Sequence, residues 1–134
     1  MIQKFLLLIT IIFCITQYVY CDEPSHAYIN SKGIVQNSGG GTPLNATNVG
    51  PGQYCIGPAG DKPVNYFGTY ATVVVTPQTQ PQGADGWFIA NAITGHGNVC
   101  NSLGGILVNT ARLTDSGPSR ENTDFTIMLV PDSD

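Results

Sequence analysis

Two histidines, His26 and His96, are the only side chains of this 134-residue chain whose ordinary titration falls near neutral pH, so acid–base chemistry would have to run through one of them. His96 is the better placed, because Gly95 and Gly97 leave its ring open to a substrate, whereas His26 adjoins an apolar run and reads as a surface residue. Neither is matched by a nucleophile: no serine sits in a nucleophile elbow, and Gly39-Gly40-Gly41 lacks the Lys and Ser or Thr of a phosphate loop. Those glycines read as flexible connection and His96 as a turn residue. The chain is expected not to be an enzyme.

Thiol and metal chemistry are limited by the amino terminus. Lys4, the apolar run Phe5 to Ile15 and Val19-Tyr20-Cys21 have the layout of a secretory signal peptide, cut before Asp22. The apolar segment is shorter than the roughly 20 residues that a spanning helix needs. The expected organisation is a signal peptide over residues 1–21 and one secreted domain over residues 22–134, with no membrane span after cleavage. Cys14 and Cys21 leave with the leader, so Cys55 and Cys100 meet an oxidising compartment alone and are expected to form a disulfide. Closing that loop removes about 4 kcal/mol of unfolded-chain entropy. With both thiols used, a zinc site has no soft ligands left. Asp115, Glu121 and Asp124 share a Ser- and Asn-containing loop, Thr114 to Asp124, that offers oxygens to calcium, but nothing else supports binding there; no metal and no cofactor are expected. Asn45-Ala46-Thr47 is an N-glycosylation acceptor in a Gly-, Pro- and Asn-rich stretch, expected on an exposed loop.

Charge narrows the partners. Loss of the leader removes Lys4 and leaves four basic residues (Lys32, Lys62, Arg112, Arg120) against nine acidic ones, which argues against nucleic acid. Aromatic side chains are the remaining site signal. Tyr66, Phe67 and Tyr70 cluster before one apolar run, and Trp87 opens another beside Phe88. Such rings stack on sugar faces, but a domain of this size usually needs them inside, where each buries on the order of 150 to 250 Å². Core packing is the expected role, and Trp87, Tyr66 and Tyr70 become ligand contacts only if they are exposed.

What positions these residues is a set of short strands. All 16 Gly and all 9 Pro fall in the mature chain, whose longest stretch free of both is Ser119 to Val130, so helices have little room. Seven runs read as strands: Ala27 to Ile29, Gly33 to Val35, Gln53 to Ile56, Tyr70 to Thr76, Trp87 to Ile93, Gly105 to Thr110 and Asp124 to Val130. Asn30-Ser31-Lys32-Gly33 offers a positive-φ glycine for a tight turn, so the first two should pair as a hairpin. Val73-Val74-Val75 and Phe125 to Val130 carry apolar residues at successive positions, as central strands do when loops cover their outer face; a contact surface is the other explanation. Val35 to Gly52 and Thr76 to Gly86 read as long polar loops.

Ala27-Tyr28-Ile29 with Gly33-Ile34-Val35, then Gly52 to Ile56, Ala71 to Val75 and Phe125 to Leu129, resemble a recurrent small secreted all-β domain, best populated in bacteria and similar to terminal modules of fibre-like proteins. The resemblance covers nearly the whole mature chain and implies a fold, with no activity attached to any residue. The expectation is an all-β antiparallel sandwich or jelly-roll-like domain of about seven strands and one disulfide. Its expected work is that of a secreted structural or interaction module without catalysis, self-assembling into a fibre, coat or matrix by edge pairing of the C-terminal strand, or meeting an extracellular protein or glycan. A carbohydrate- or other ligand-binding module is the alternative.

Overall fold

Branched and aromatic runs too short for helices become strands in the computed structural model, which describes residues 23–60, 72–78, 87–94, 99–100, 102–103 and 105–130. The strands are β1 (Ser25–Ile29), β2 (Val35–Gly39), β3 (Leu44–Gly50), β4 (Gln53–Pro58), β5 (Thr72–Pro77), β6 (Phe88–Ile93), β7 (Ile106–Thr114), β8 (Gly117–Arg120) and β9 (Phe125–Val130). Sheet I has the order β2-β1-β9-β5, and sheet II the order β3-β4-β7-β6 with β8 also paired to β7. Every pairing among them is antiparallel. The sheets face each other as a sandwich whose flanks are closed by β2 near β3 on one side and β5 near β6 on the other. No helix among the described residues is long and apolar enough to cross a membrane.

Side-chain alternation decides the core. Sheet I sends Ala27, Ile29, Phe125, Ile127 and Leu129 inward, and sheet II sends Leu44, Tyr54, Ile56, Ile106 and Val108 to meet them. Tyr54 and Phe125 pack with ring centroids 4.9 Å apart and planes tilted by 59°. The Tyr54 hydroxyl donates to the carbonyl of Ser31 at 3.0 Å, with that of Thr123 at 3.4 Å, so the largest buried ring also satisfies its polar end.

The sandwich therefore stands as expected, with nine strands where seven were read. The expected loop Val35 to Gly52 holds β2 and all of β3, whose Leu-Asn-Ala-Thr-Asn-Val-Gly turns only Leu44 and Ala46 to the core, as an edge strand with one apolar face can. β8, Gly117-Pro118-Ser119-Arg120, carries two poor strand formers and persists because it is one arm of a hairpin with β7. It divides the stretch Thr114 to Asp124 that had been read as a single loop. The β1–β2 hairpin forms as the sequence indicates: Gly33 has φ 80° and donates its N–H to the Asn30 carbonyl at 2.8 Å, although β2 begins only at Val35. The read strand Tyr70 to Thr76 corresponds to β5; Tyr70 itself lies outside the described residues.

The outer face of sheet I also departs from expectation. β9 is central, flanked by β1 and β5, but β5 is an edge strand, and the register partners Val74 and Met128 remain 48% and 43% exposed on the outside. Loops do not cover them. Gly39-Gly40-Gly41, read as flexible, is instead a compressed turn. The Gly41 N–H donates to the Glu23 carbonyl at 3.2 Å, and Thr42 N–H donates to the buried Ser25 hydroxyl at 2.8 Å. A Cβ on Gly40 would sit 1.8 Å from the Pro24 carbonyl oxygen, at a φ of 85° that side chains avoid. These contacts fasten the entering segment Glu23 to Ser25 onto the β2–β3 turn.

Asp124, between β8 and β9, ties three elements together. One carboxylate oxygen accepts from the Tyr28 hydroxyl, the other from Ser31 N–H at 2.7 Å, and its carbonyl accepts from Gln78 N–H at 2.8 Å. The bond to Asp124 raises the Tyr28 phenol above its ordinary value of 10, with desolvation and the carboxylate's charge adding to it.

Three outcomes are expected. Gly40→Ala should lose more than about 2 kcal/mol in denaturant unfolding, since strain and collision add. Gly117→Ala, at φ 110° but with nothing within 4 Å of the added Cβ, should lose about 1 kcal/mol. Because a raised phenol pKa means that the folded state holds the proton more tightly, the Tyr28–Asp124 contribution is complete below pH 10 and is lost as pH rises through the folded value. The stability gap between wild type and Tyr28→Phe should accordingly be wide at about pH 8 and shrink by about pH 11 in parallel unfolding curves.

Candidate functional site

β6 alternates in an inverted sense. Phe88, Ala90 and Ala92 point toward β5 and the core, while Ile89 and Ile93, 42% and 44% exposed, point outward with Asn91 between them. β6 runs against β5, and Ala92 packs against the core as Val73 and Val75 do, while Phe88 faces inward with the Arg112 guanidinium over its ring. Trp87 precedes Phe88 and takes the outward side. Leu113 N–H donates to its carbonyl at 2.7 Å, which extends the β6–β7 ladder by one residue and fixes the parity. Its indole is 76% exposed. The expectation of Trp87 as a core ring is overturned: of two adjacent strand residues one faces in, and Phe88 occupies that position. The signal was present in Trp-Phe-Ile-Ala-Asn-Ala-Ile, where period two collects Trp, Ile, Asn and Ile on one side.

The same outer face continues across sheet II in register. Ile89 pairs with Ala111, and Ala111 with Arg120; Asn91 pairs with Asn109, and Asn109 with Gln53. Ile89, Asn91, Asn109, Ala111, Pro118 and Arg120 line an open groove of about 350 Å³. Gln53 Nε2 donates to Asn109 Oδ1 at 3.3 Å, which orients the Asn109 amide and leaves its NH2 group as a donor.

The groove has depth because the edge of β7 changes partner at Thr110. β4 pairs with Ile106 to Asn109, and β8 with Ala111 to Thr114. At the junction Thr110 N–H donates to the Gly52 carbonyl at 2.8 Å, Glu121 N–H to the Thr110 carbonyl at 3.3 Å, and the Thr110 hydroxyl to the Glu121 carbonyl at 2.6 Å. Glu121 also binds Arg112 at 2.9 Å, and the Arg112 guanidinium lies 5.4 Å from the centroid of the Phe88 ring. Arg120, one residue before Glu121, is exposed and makes no ion pair among the described residues.

Cys55 and Cys100 form the expected disulfide, which draws the segment after β6 onto the outer side of β4. Both cysteines and Leu107 form a second small core there, with Val99 and Leu103 exposed above it. Asn45 and Thr47 are exposed as expected, but on edge strand β3, where Thr47 pairs with Cys55. The remaining candidates do not converge. His26 lies outward on sheet I with its imidazole over Gly39 and Met128 as cross-strand neighbour. Glu121 serves Arg112, Asp124 serves Tyr28 and Ser31, and Asp115 sits in the β7–β8 turn. Among the described residues no group of three or more His, Cys, Asp or Glu is placed to hold a metal ion. His96, Tyr66, Phe67 and Tyr70 lie outside the described residues. No protein-family model, curated protein or solved structure matches the chain.

Since Trp87 is the only tryptophan, its position can be read directly. Its fluorescence in the folded protein should show the long-wavelength maximum of indole in water and full accessibility to iodide. Trp87→Ala should shift stability by no more than about 0.5 kcal/mol. A blue-shifted, protected tryptophan whose removal costs about 3 kcal/mol would place the ring in the core instead.

Proposed function

We propose that the mature chain is a non-catalytic extracellular recognition module that binds carbohydrate on the outer face of sheet II. The observation that carries this reading is the exposed Trp87 indole, two residues before Ile89 on the outward side of the sheet whose groove is lined by the register partners Asn91 and Asn109. A flat ring offers its π face to the C–H face of a sugar, and primary amides both donate to and accept from hydroxyls. Rigid strands hold both, so little ordering is needed on binding. The leader read over residues 1–21 and the Cys55–Cys100 bridge suit work outside the cell. An N-linked glycan on Asn45 belongs to the same reading: it would stand on β3, with β4 between it and the groove, and guard that sheet edge against pairing with another chain.

Self-association into a fibre, coat or matrix is the second reading, and Val74 with Met128 favours it, as an exposed apolar pair on the opposite face. It cannot proceed by strand addition to β9, both of whose edges are already paired.

A broad glycan array probed with the secreted, disulfide-intact protein separates the readings. At least one oligosaccharide should bind, with the signal reduced about tenfold in Trp87→Ala and in Asn109→Ala and unchanged in Val74→Thr. An empty array, or binding indifferent to Trp87, overturns the carbohydrate reading. Light scattering that shows mass rising with concentration, abolished by Val74→Asp, would make assembly the function.

A further inference from the structure

We infer that the saccharide taken by this face is acidic, a uronic-acid-containing oligosaccharide whose carboxylate is met by Arg120. The inference rests on the carbohydrate reading of the groove and adds the charge of its ligand. Two arginines stand close in sequence to the groove, and the fold treats them differently. Arg112 faces inward at the end of β7, neutralised by Glu121 at 2.9 Å and laid over Phe88. Arg120 pairs in register with Ala111 on the outward side and lines the groove with Ile89 and the two asparagines. Among the described residues it is the only charged one in the groove lining, in a mature chain with four basic and nine acidic residues. A lone, exposed guanidinium in an acidic protein is a specific complement to an anion, and its planar fork fits a carboxylate through two parallel N–H donors.

Spacing agrees with an oligosaccharide. Arg120 is two strands across from Ile89, about 10 Å, and Trp87 is four residues along β6 from Asn91, about 13 Å. One sugar ring stacked on Trp87 therefore leaves Arg120 to a neighbouring ring, with the Asn91–Asn109 pair alongside to bind hydroxyls. An acidic peptide would satisfy Arg120 equally, but it has no C–H face to lay on Trp87 and no hydroxyls for the amides. A neutral glycan would offer the guanidinium only hydroxyl acceptors, without the charge-assisted bidentate pair that a carboxylate gives.

The test uses the secreted, disulfide-intact protein and polygalacturonate, alginate and hyaluronan fragments, each paired with its methyl-esterified form, with a poly-glutamate peptide and neutral oligosaccharides in parallel. Binding is read by Trp87 fluorescence and by calorimetry. At least one uronate should bind, weaken about tenfold on esterification, weaken by a similar factor in Arg120→Gln, recover in part in Arg120→Lys, and be lost in Trp87→Ala. Neutral oligosaccharides or esters that bind as well as the free acids, with Arg120→Gln without effect, overturn the inference and leave the carbohydrate reading standing. Binding of poly-glutamate without any oligosaccharide makes the face a peptide site and overturns both. Failure of every saccharide, neutral and acidic, likewise overturns both.

Discussion

Thr110 is the point on which the working face of the molecule depends. It lies fully buried in the middle of the longest strand, where its backbone changes partner from Gly52 to Glu121 and its hydroxyl holds the Glu121 carbonyl. Had β4 continued along β7, the outer face would be a flat four-stranded surface. Because β8 replaces β4 beyond Thr110, Pro118 and Arg120 are brought beside Ala111, and the groove gains its second wall. The same junction sorts charge. Glu121, pinned by its backbone, turns its carboxylate to Arg112 inside, and the residue before it, by alternation, turns its guanidinium outward. One buried hydroxyl thus sets both the shape of the groove and which cation serves it.

The features legible in the sequence were those that depend on local chemistry. Asn30 to Gly33 specifies its turn by itself, since Asn30 Oδ1 accepts from Lys32 and Ile34 N–H groups and Gly33 takes the positive φ. The disulfide followed from counting thiols left after the leader. β7 and β9 declare themselves by apolar density. What stayed hidden depends on partners. β3 and β8 have almost no strand propensity and exist because β4 and β7 offer free edges to pair with. Gly39 to Gly41 looks like slack chain until Glu23 and Pro24 are seen pressing on it, and no local rule says that an entering segment will arrive there.

Trp87 was misjudged for a related reason. Bulk and hydrophobicity argue for burial, but which of Trp87 and Phe88 turns inward is set by the β6–β7 register. The strand keeps Trp87, Ile89 and Ile93 on the solvent side, an exposed apolar set of the kind that marks contact surfaces. The Cys55–Cys100 bridge and Leu107 build a small core at the other end of that same face.

The acidic ligand proposed for this acidic chain meets an electrostatic objection, and distance answers it. At physiological ionic strength exposed charges further apart than about 8 Å are largely screened from each other. Glu23 lies before β1, in sheet I, the sheet whose strands take no part in the groove, and Glu121 is paired with Arg112. Among the described residues the groove lining offers an anion one guanidinium and otherwise uncharged groups, although the net charge of the chain is negative. Long-range steering is then weak, and on the proposed reading discrimination rests on short contacts: the guanidinium donates to a carboxylate, the Asn91–Asn109 pair binds hydroxyls, and the indole stacks on a ring with an apolar face. A face built this way selects by the coincidence of three chemistries, none of which would hold a ligand firmly alone.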